Sequence, residues 1–198
     1  IDREEDDPYI ESPYGNRSID TGYYATSKTS VFCDYMPLVQ QNAQQFPCEA
    51  GDSVSATNAN QKMFIRWYGN GSTGQGDWAW SYGGQLFQST SVPYAPHVRR
   101  QLTMDRQNMK IKVETSGLKD YEGAIANWAL VANKSSTTLK LFANGNGTGN
   151  VAKGRLYGFK IYEDGVLVRD YKPVVVSGLT ALKDEVTGEV LGWAIAAA

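Results

Sequence analysis

The chain is poor in the residues that do metal or nucleophilic chemistry. Among 198 residues it has one histidine, His97, and two cysteines, Cys33 and Cys48. A zinc site needs a second pair of Cys or His ligands, which the chain lacks. Serine and cysteine hydrolase constellations fail for want of a second histidine and of a Gly-x-Ser-x-Gly elbow. The glycine-rich run Gly145-Asn146-Gly147-Thr148-Gly149 has no Lys-Ser/Thr after it, which excludes a phosphate loop. Charge of one sign is scarce as well. The net charge is −2, and the acid is concentrated at the start, where Asp2, Glu4, Glu5, Asp6 and Asp7 outnumber Arg3. Residues 1–8 read as a solvated, flexible leader. The rest is close to neutral, which excludes a nucleic-acid partner. Arg99, Arg100, Arg106, Lys110 and Lys112 form the densest basic stretch, but Asp105 and amide side chains interrupt it, as on a solvated strand face. The longest apolar stretch, residues 192–198, is far too short to enter a bilayer. Helical periodicity is also missing: its best representative, residues 123–132, contains Asn127 and is equally a buried strand.

What is abundant is glycine, at 20 residues, and aromatics, with 5 Trp, 12 Tyr and 6 Phe. Both belong with β structure and many turns. Met109, Ile111 and Val113 alternate with Lys110, Lys112 and Glu114, giving a strand with one wet face. Val31, Cys33 and Tyr35 share a face of a strand beginning near Thr29, Leu139 and Leu141 flank Lys140, and residues 63–68 form another strand. The clearest hairpin joins strands at 156–162 and 166–171 through Glu163-Asp164-Gly165, with Pro173 ending the pairing or marking an edge. A shorter one centres on Val186-Thr187-Gly188-Glu189-Val190. Short strands and turns over the whole length, without a linker, predict one all-β domain over residues 9–198, a single two-sheet antiparallel β-sandwich.

The cysteines have 14 residues between them. A disulfide closing that loop would add about 3 kcal/mol, and it is the expected state for an exported protein; two buried thiols are the other reading.

Two segments carry a resemblance. Tyr9-Ile10-Glu11-Ser12 followed by Ile19-Asp20-Thr21-Gly22 resembles the opening of bacterial laminin-G-like modules with the concanavalin A-like lectin-glucanase jelly-roll fold. The hairpin from Gly154-Arg155-Leu156-Tyr157 to Asp170-Tyr171-Lys172-Pro173 looks like their penultimate strands. Leu182-Lys183-Asp184-Glu185-Val186-Thr187-Gly188-Glu189 resembles their closing turn, and Leu141-Phe142-Ala143 one of their inner strands. The resemblance implies a jelly roll whose first and last strands lie side by side, often with a calcium ion near a rim. It transfers no catalytic residue.

Catalysis on such a fold means cutting polysaccharide. Hydrolysis needs paired carboxylates, and no Glu-x-Asp-x-x-Glu strand occurs. His97, after Pro96 and near Arg99 and Arg100, reads as a surface residue rather than a general base. For binding, alternation puts Trp78, Trp80 and Tyr82 on one strand face beside Asp77, Asn70 and Gln75. Facing outward they form a sugar platform with hydrogen-bonding neighbours; facing inward they are core. Trp67, Trp128 and Trp193 read as core. Calcium ligands would come from Asp77, Asn144 and Asn146, though no loop has the repeated acidic spacing of a dedicated site. Four Asn-x-Ser/Thr sequons, at Asn16, Asn70, Asn133 and Asn146, matter if the source glycosylates exported proteins. The function expected from sequence is a non-catalytic binding module, secreted or at the cell surface, that recognises a glycan or a surface protein. Its alternatives are a structural subunit of an extracellular assembly, paired with copies of itself or other subunits, and a polysaccharide-cleaving enzyme.

Overall fold

A computed structural model describes residues 7–12, 17–39, 45–51, 63–69, 76–82, 88–93, 95–125, 134–144, 147 and 151–195. The acidic residues 1–6, the asparagines of all four sequons, Trp128 and the side chain of Trp67 lie outside the described residues. The described elements are all strands: β1 (Ile10–Glu11), β2 (Arg17–Asp20), β3 (Thr29–Pro37), β4 (Gln45–Ala50), β5 (Met63–Gly69), β6 (Gly76–Tyr82), β7 (Gln88–Pro93), β8 (Arg100–Asp105), β9 (Lys110–Thr115), β10 (Leu118–Ala124), β11 (Lys140–Leu141), β12 (Gly154–Glu163), β13 (Val166–Val176), β14 (Leu179–Asp184), β15 (Val190–Leu191) and β16 (Ala194–Ile195). They form two antiparallel sheets packed as a β-sandwich. The nine-stranded sheet runs β10-β9-β8-β3-β12-β13-β14-β15 with β1 also on β12, and the seven-stranded sheet runs β16-β2-β11-β4-β5-β6-β7.

Alternation decides which side chains turn inward. On β3, Val31, Cys33 and Tyr35 are buried while Phe32, Asp34 and Met36 are half-exposed, and Leu102/Met104 and Ile111/Val113 continue the inner row on β8 and β9. Across the sandwich Tyr35 meets Trp78 edge-on, centroids 6.1 Å apart at 88°, and Phe142 at 6.1 Å and 62°. Trp193 packs on Phe142 at 4.9 Å, placing it against the core as expected. The chain ends lie side by side: Ala194 and Ile195 of β16 pair with Ser18 and Arg17 of β2, and Ile10 of β1 pairs with Leu156 of β12.

The β12–β13 hairpin turns through Asp164 (φ 52°) and Gly165 (φ 80°), as the Asp-Gly pair predicts, because a two-residue hairpin of this hand needs positive φ twice. Pro173 marks an edge rather than an end. Up to Tyr171, β13 pairs with β12; beyond it the described pairing is with β14 alone, and Pro173 stands opposite Leu182. A residue without an N–H fits there because the row beside β12 now belongs to β1. Met109 is not in a strand: with φ 53° it closes the β8–β9 turn before Lys110 begins β9.

The expected disulfide is not formed. Cys33 and Cys48 are free thiols, buried on the inner faces of β3 and β4 among Leu102, Phe159, Ile65 and Leu141. Burial pushes the Cys48 thiol up to about 12 and raises Cys33 well above its ordinary value, so neither holds the thiolate that disulfide exchange requires. A thiol reagent is therefore expected to find no reactive cysteine in the native protein and both after denaturation without reductant. Silence after denaturation would mean a disulfide.

Asp184 ties the closing turn. Its Oδ1 accepts the N–H groups of Asp170 (2.8 Å) and Val186 (3.0 Å), and its Oδ2 accepts the Thr187 hydroxyl (2.7 Å) beside Arg169. Burial raises the carboxyl, but these donors and the guanidinium outweigh it and hold the pKa below the ordinary value. A lowered folded-state pKa adds stability that is fully present above the unfolded value near 4 and is lost as pH falls through the folded one. Asp184→Ala is expected to lose about 2 kcal/mol at neutral pH, with its deficit against the native chain shrinking below about pH 4, read by chemical denaturation.

Candidate functional site

The sugar platform expected on β6 does not form at Trp78. That ring is buried, with 1% exposure, because β6 lies between β5 and β7 with this face against Tyr35. The side chains of Asp77, Trp80 and Tyr82 lie outside the described residues, as do Asn70 and Gln75. Of the residues considered for calcium, Asn144 is buried in the turn whose carbonyl accepts Gly147 N–H (2.7 Å), and Asn146 is outside the described residues. Among the described residues no group of three His, Cys, Asp or Glu side chains is placed to hold a metal. His97 is exposed at φ 62°, its N–H on the Pro37 carbonyl (2.7 Å).

Recognition chemistry gathers instead on the outer face of the nine-stranded sheet. In the sheet order β8-β3-β12, Phe32 of β3 stands opposite Thr103 on one side and Lys160 on the other, and Ser30 stands opposite Tyr162. Phe32 and Tyr162 are thus diagonal neighbours pointing out of the sandwich, a geometry in which aromatic side chains touch. With Ser30, Thr103, Asp105, the turn residues Gln107 and Asn108, and Gly165 of the β12–β13 turn, they line a cavity of about 310 Å³. The turn is fixed by Asp105, whose Oδ1 and Oδ2 accept Asn108 N (3.1 Å) and Nδ2 (2.7 Å), and by Arg106 N–H on Ser30 Oγ (2.7 Å). Two aromatic rings as floor and a carboxylate with two amides as rim match what a pyranose ring offers, a C–H face and a circle of hydroxyls.

Farther along the same face the polar groups bind one another. Arg99 donates Nε and Nη2 to the two oxygens of Asp34 (2.9 and 2.8 Å) and Nη1 to Asp7 (2.6 Å), with its guanidinium 3.8 Å above the Tyr157 ring. Gln101 adds a bond to Asp34 Oδ1 (3.1 Å). Arg155 lies 4.2 Å over the Tyr9 ring and binds Glu11 (2.7 Å). The Asp34 and Asp7 carboxylates hold the Arg99 guanidinium charged far above its ordinary range. This cluster ties β1, β3 and β12 together. A larger depression, about 520 Å³, opens between residues 7–9 and the β13–β14 hairpin, but Pro8, Pro173, Val174 and Val175 supply much of its wall, a poor surface for a polyol.

No protein-family model matches the chain, and no curated protein matches it in sequence. Solved structures share the fold. The chain is similar to a Bacteroides ovatus protein provisionally assigned as carbohydrate-binding, with a TM-score of 0.58 and 13% identity over 94% of this chain and 57% of that one. It is similar to the CBM40 module of a Ruminococcus gnavus sialidase bound to α2,3-sialyllactose, with a TM-score of 0.51 and 14% identity over 78% of this chain and 89% of the module. It is also similar to tailspike protein 2 of an Escherichia coli O157:H7 bacteriophage, at 0.56 and 11%, over 78% of this chain and 24% of that one. The chain thus spans about half of the first protein and a quarter of the tailspike. At these identities the likeness is one of fold alone, a jelly-roll-like β-sandwich.

None of the cavity-lining residues was evident in the sequence. The signal that could have found them is an aromatic side chain at the wet position of an alternating strand, as Phe32 is between Val31 and Cys33, and Tyr162 next to Ile161.

Proposed function

We propose that the chain is a carbohydrate-binding module of the laminin-G-like, concanavalin A-like kind, working outside the cell, with its ligand seated on the outer face of the nine-stranded sheet between β8, β3 and β12. The observation that carries this is the Phe32–Tyr162 floor beneath the Asp105, Gln107 and Asn108 rim. The fold shared with a sialidase binding module and a provisionally assigned carbohydrate-binding protein supports it. Binding without cleavage is the reading the rim favours, since Asp105 is the one acid lining the cavity among the described residues and glycoside hydrolysis uses two. Residues 9–198 act in this reading as one unit, with the acidic residues 1–8 as a leader. The test is a glycan array with the intact chain: a reproducible response to at least one glycan family is expected, and no response to any glycan would remove the proposal.

A second reading, a subunit of a surface assembly, is favoured by the tip of the β13–β14 hairpin, where Val175 and Leu179 are 71% and 74% exposed. Light scattering at high concentration decides it: a mass above one chain that falls in Val175→Lys supports assembly, and a constant monomer mass removes it.

A further inference from the structure

We infer that the saccharide held in the β8-β3-β12 cavity is uncharged at the ring that enters it, an inference that rests on the carbohydrate-binding reading above. A buried sugar carboxylate needs a cation in place of its lost water, and the arginine fork is the side chain whose geometry suits it. Among the described residues lining the cavity there is none. Its charged lining residue is Asp105, which would repel an acid. The arginine next to it in sequence is engaged elsewhere, Arg106 giving Nε to the Ser27 carbonyl (2.8 Å) and Nη1 to Met109 Sδ (2.9 Å). Arg99 and Arg155, on the same face, are committed to Asp34, Asp7 and Glu11 and stacked on tyrosines.

The bordering lysines stand outside the cavity's described lining. Lys28 pairs with Asp164 (3.5 Å), and Lys112, cross-strand from Thr103, shares Glu122 (3.9 Å) with Lys110 (2.9 Å). Lys160, cross-strand from Phe32, is not among the described residues that line the cavity. What the cavity does provide is a carboxylate whose oxygens each accept one bond from Asn108, leaving acceptor positions for a pair of hydroxyl donors. Gln107 and Asn108 add amide groups that serve as donor or acceptor. A rim of this kind recognises a diol, and an aromatic floor recognises the ring beneath it.

Titration calorimetry with lactose, N-acetyllactosamine and cellobiose against sialyllactose and digalacturonate, each at low and high salt, tests the inference. The expected result is that an uncharged sugar binds, that the acidic probes bind no better than their uncharged relatives, and that affinity changes by less than about twofold with salt, because no ion pair is screened. Asp105→Asn, checked for an unchanged melting temperature, is expected to weaken binding about tenfold through loss of charge-assisted hydroxyl bonds. Tighter binding of an acidic probe than of its uncharged parent, or affinity that collapses at high salt, would overturn the uncharged-ligand inference and leave the carbohydrate reading standing. Failure of every saccharide to bind would remove the carbohydrate reading itself, and this inference with it.

Discussion

Replacing Phe32 and Tyr162 together with alanine is expected to lower the affinity for a bound saccharide about 100-fold, and each single change about tenfold, by calorimetry. Both rings are half-exposed on the outer face, so their removal takes away the floor of the cavity without opening the core formed by Val31, Cys33, Tyr35, Phe159 and Ile161 on the opposite side of the same strands. The melting temperature is therefore expected to move little while binding disappears. Trp78→Ala should do the reverse. It empties a fully enclosed site against Tyr35, and destabilisation is expected to precede any effect on ligand. If Phe32 and Tyr162 prove dispensable and Trp78 variants that remain folded lose binding, the site is on the wrong sheet.

Gly154→Ala is expected to destabilise the chain by about 3 kcal/mol, lowering the melting temperature by roughly 10 °C. The cause is close approach rather than backbone freedom. Gly154 begins β12 opposite Pro37, and a methyl group there would lie 2.1 Å from the Tyr35 hydroxyl and 2.6 Å from the Met36 carbonyl oxygen. The carbonyl is part of the β3–β12 ladder and cannot step aside. Tyr35 cannot turn away either, because Trp78 and Phe142 pack against its ring. A melting temperature close to that of the native chain would mean that β3 and β12 approach less closely than described.

The framework was legible because strand alternation and turn chemistry are local. Val31, Cys33 and Tyr35 marked the inner face of β3, Asp164-Gly165 marked the hairpin, and the two end segments pointed to neighbouring terminal strands. The binding surface was not legible, for two physical reasons. Alternation separates two faces of a strand but does not say which one is enclosed, so the conspicuous Trp78 stripe left a platform open beside the core reading. The cavity, moreover, is assembled from β3, β8 and β12, which are neighbours in the sheet but far apart in the chain. No sequence window contains Phe32, Asp105 and Tyr162 together. Two cysteines with an ordinary loop spacing likewise suggested a bond, whereas β3 and β4 carry them as neutral thiols into an apolar interior.

Amide NMR spectra collected during titration with an uncharged oligosaccharide test the account most directly. Shifts are expected to cluster at Ser30, Phe32, Thr103, Asp105, Gln107, Asn108 and Tyr162, with the amides of β5 and β6 unmoved. Shifts centred on the seven-stranded sheet, or on the Arg99 and Arg155 cluster with the cavity silent, would contradict it.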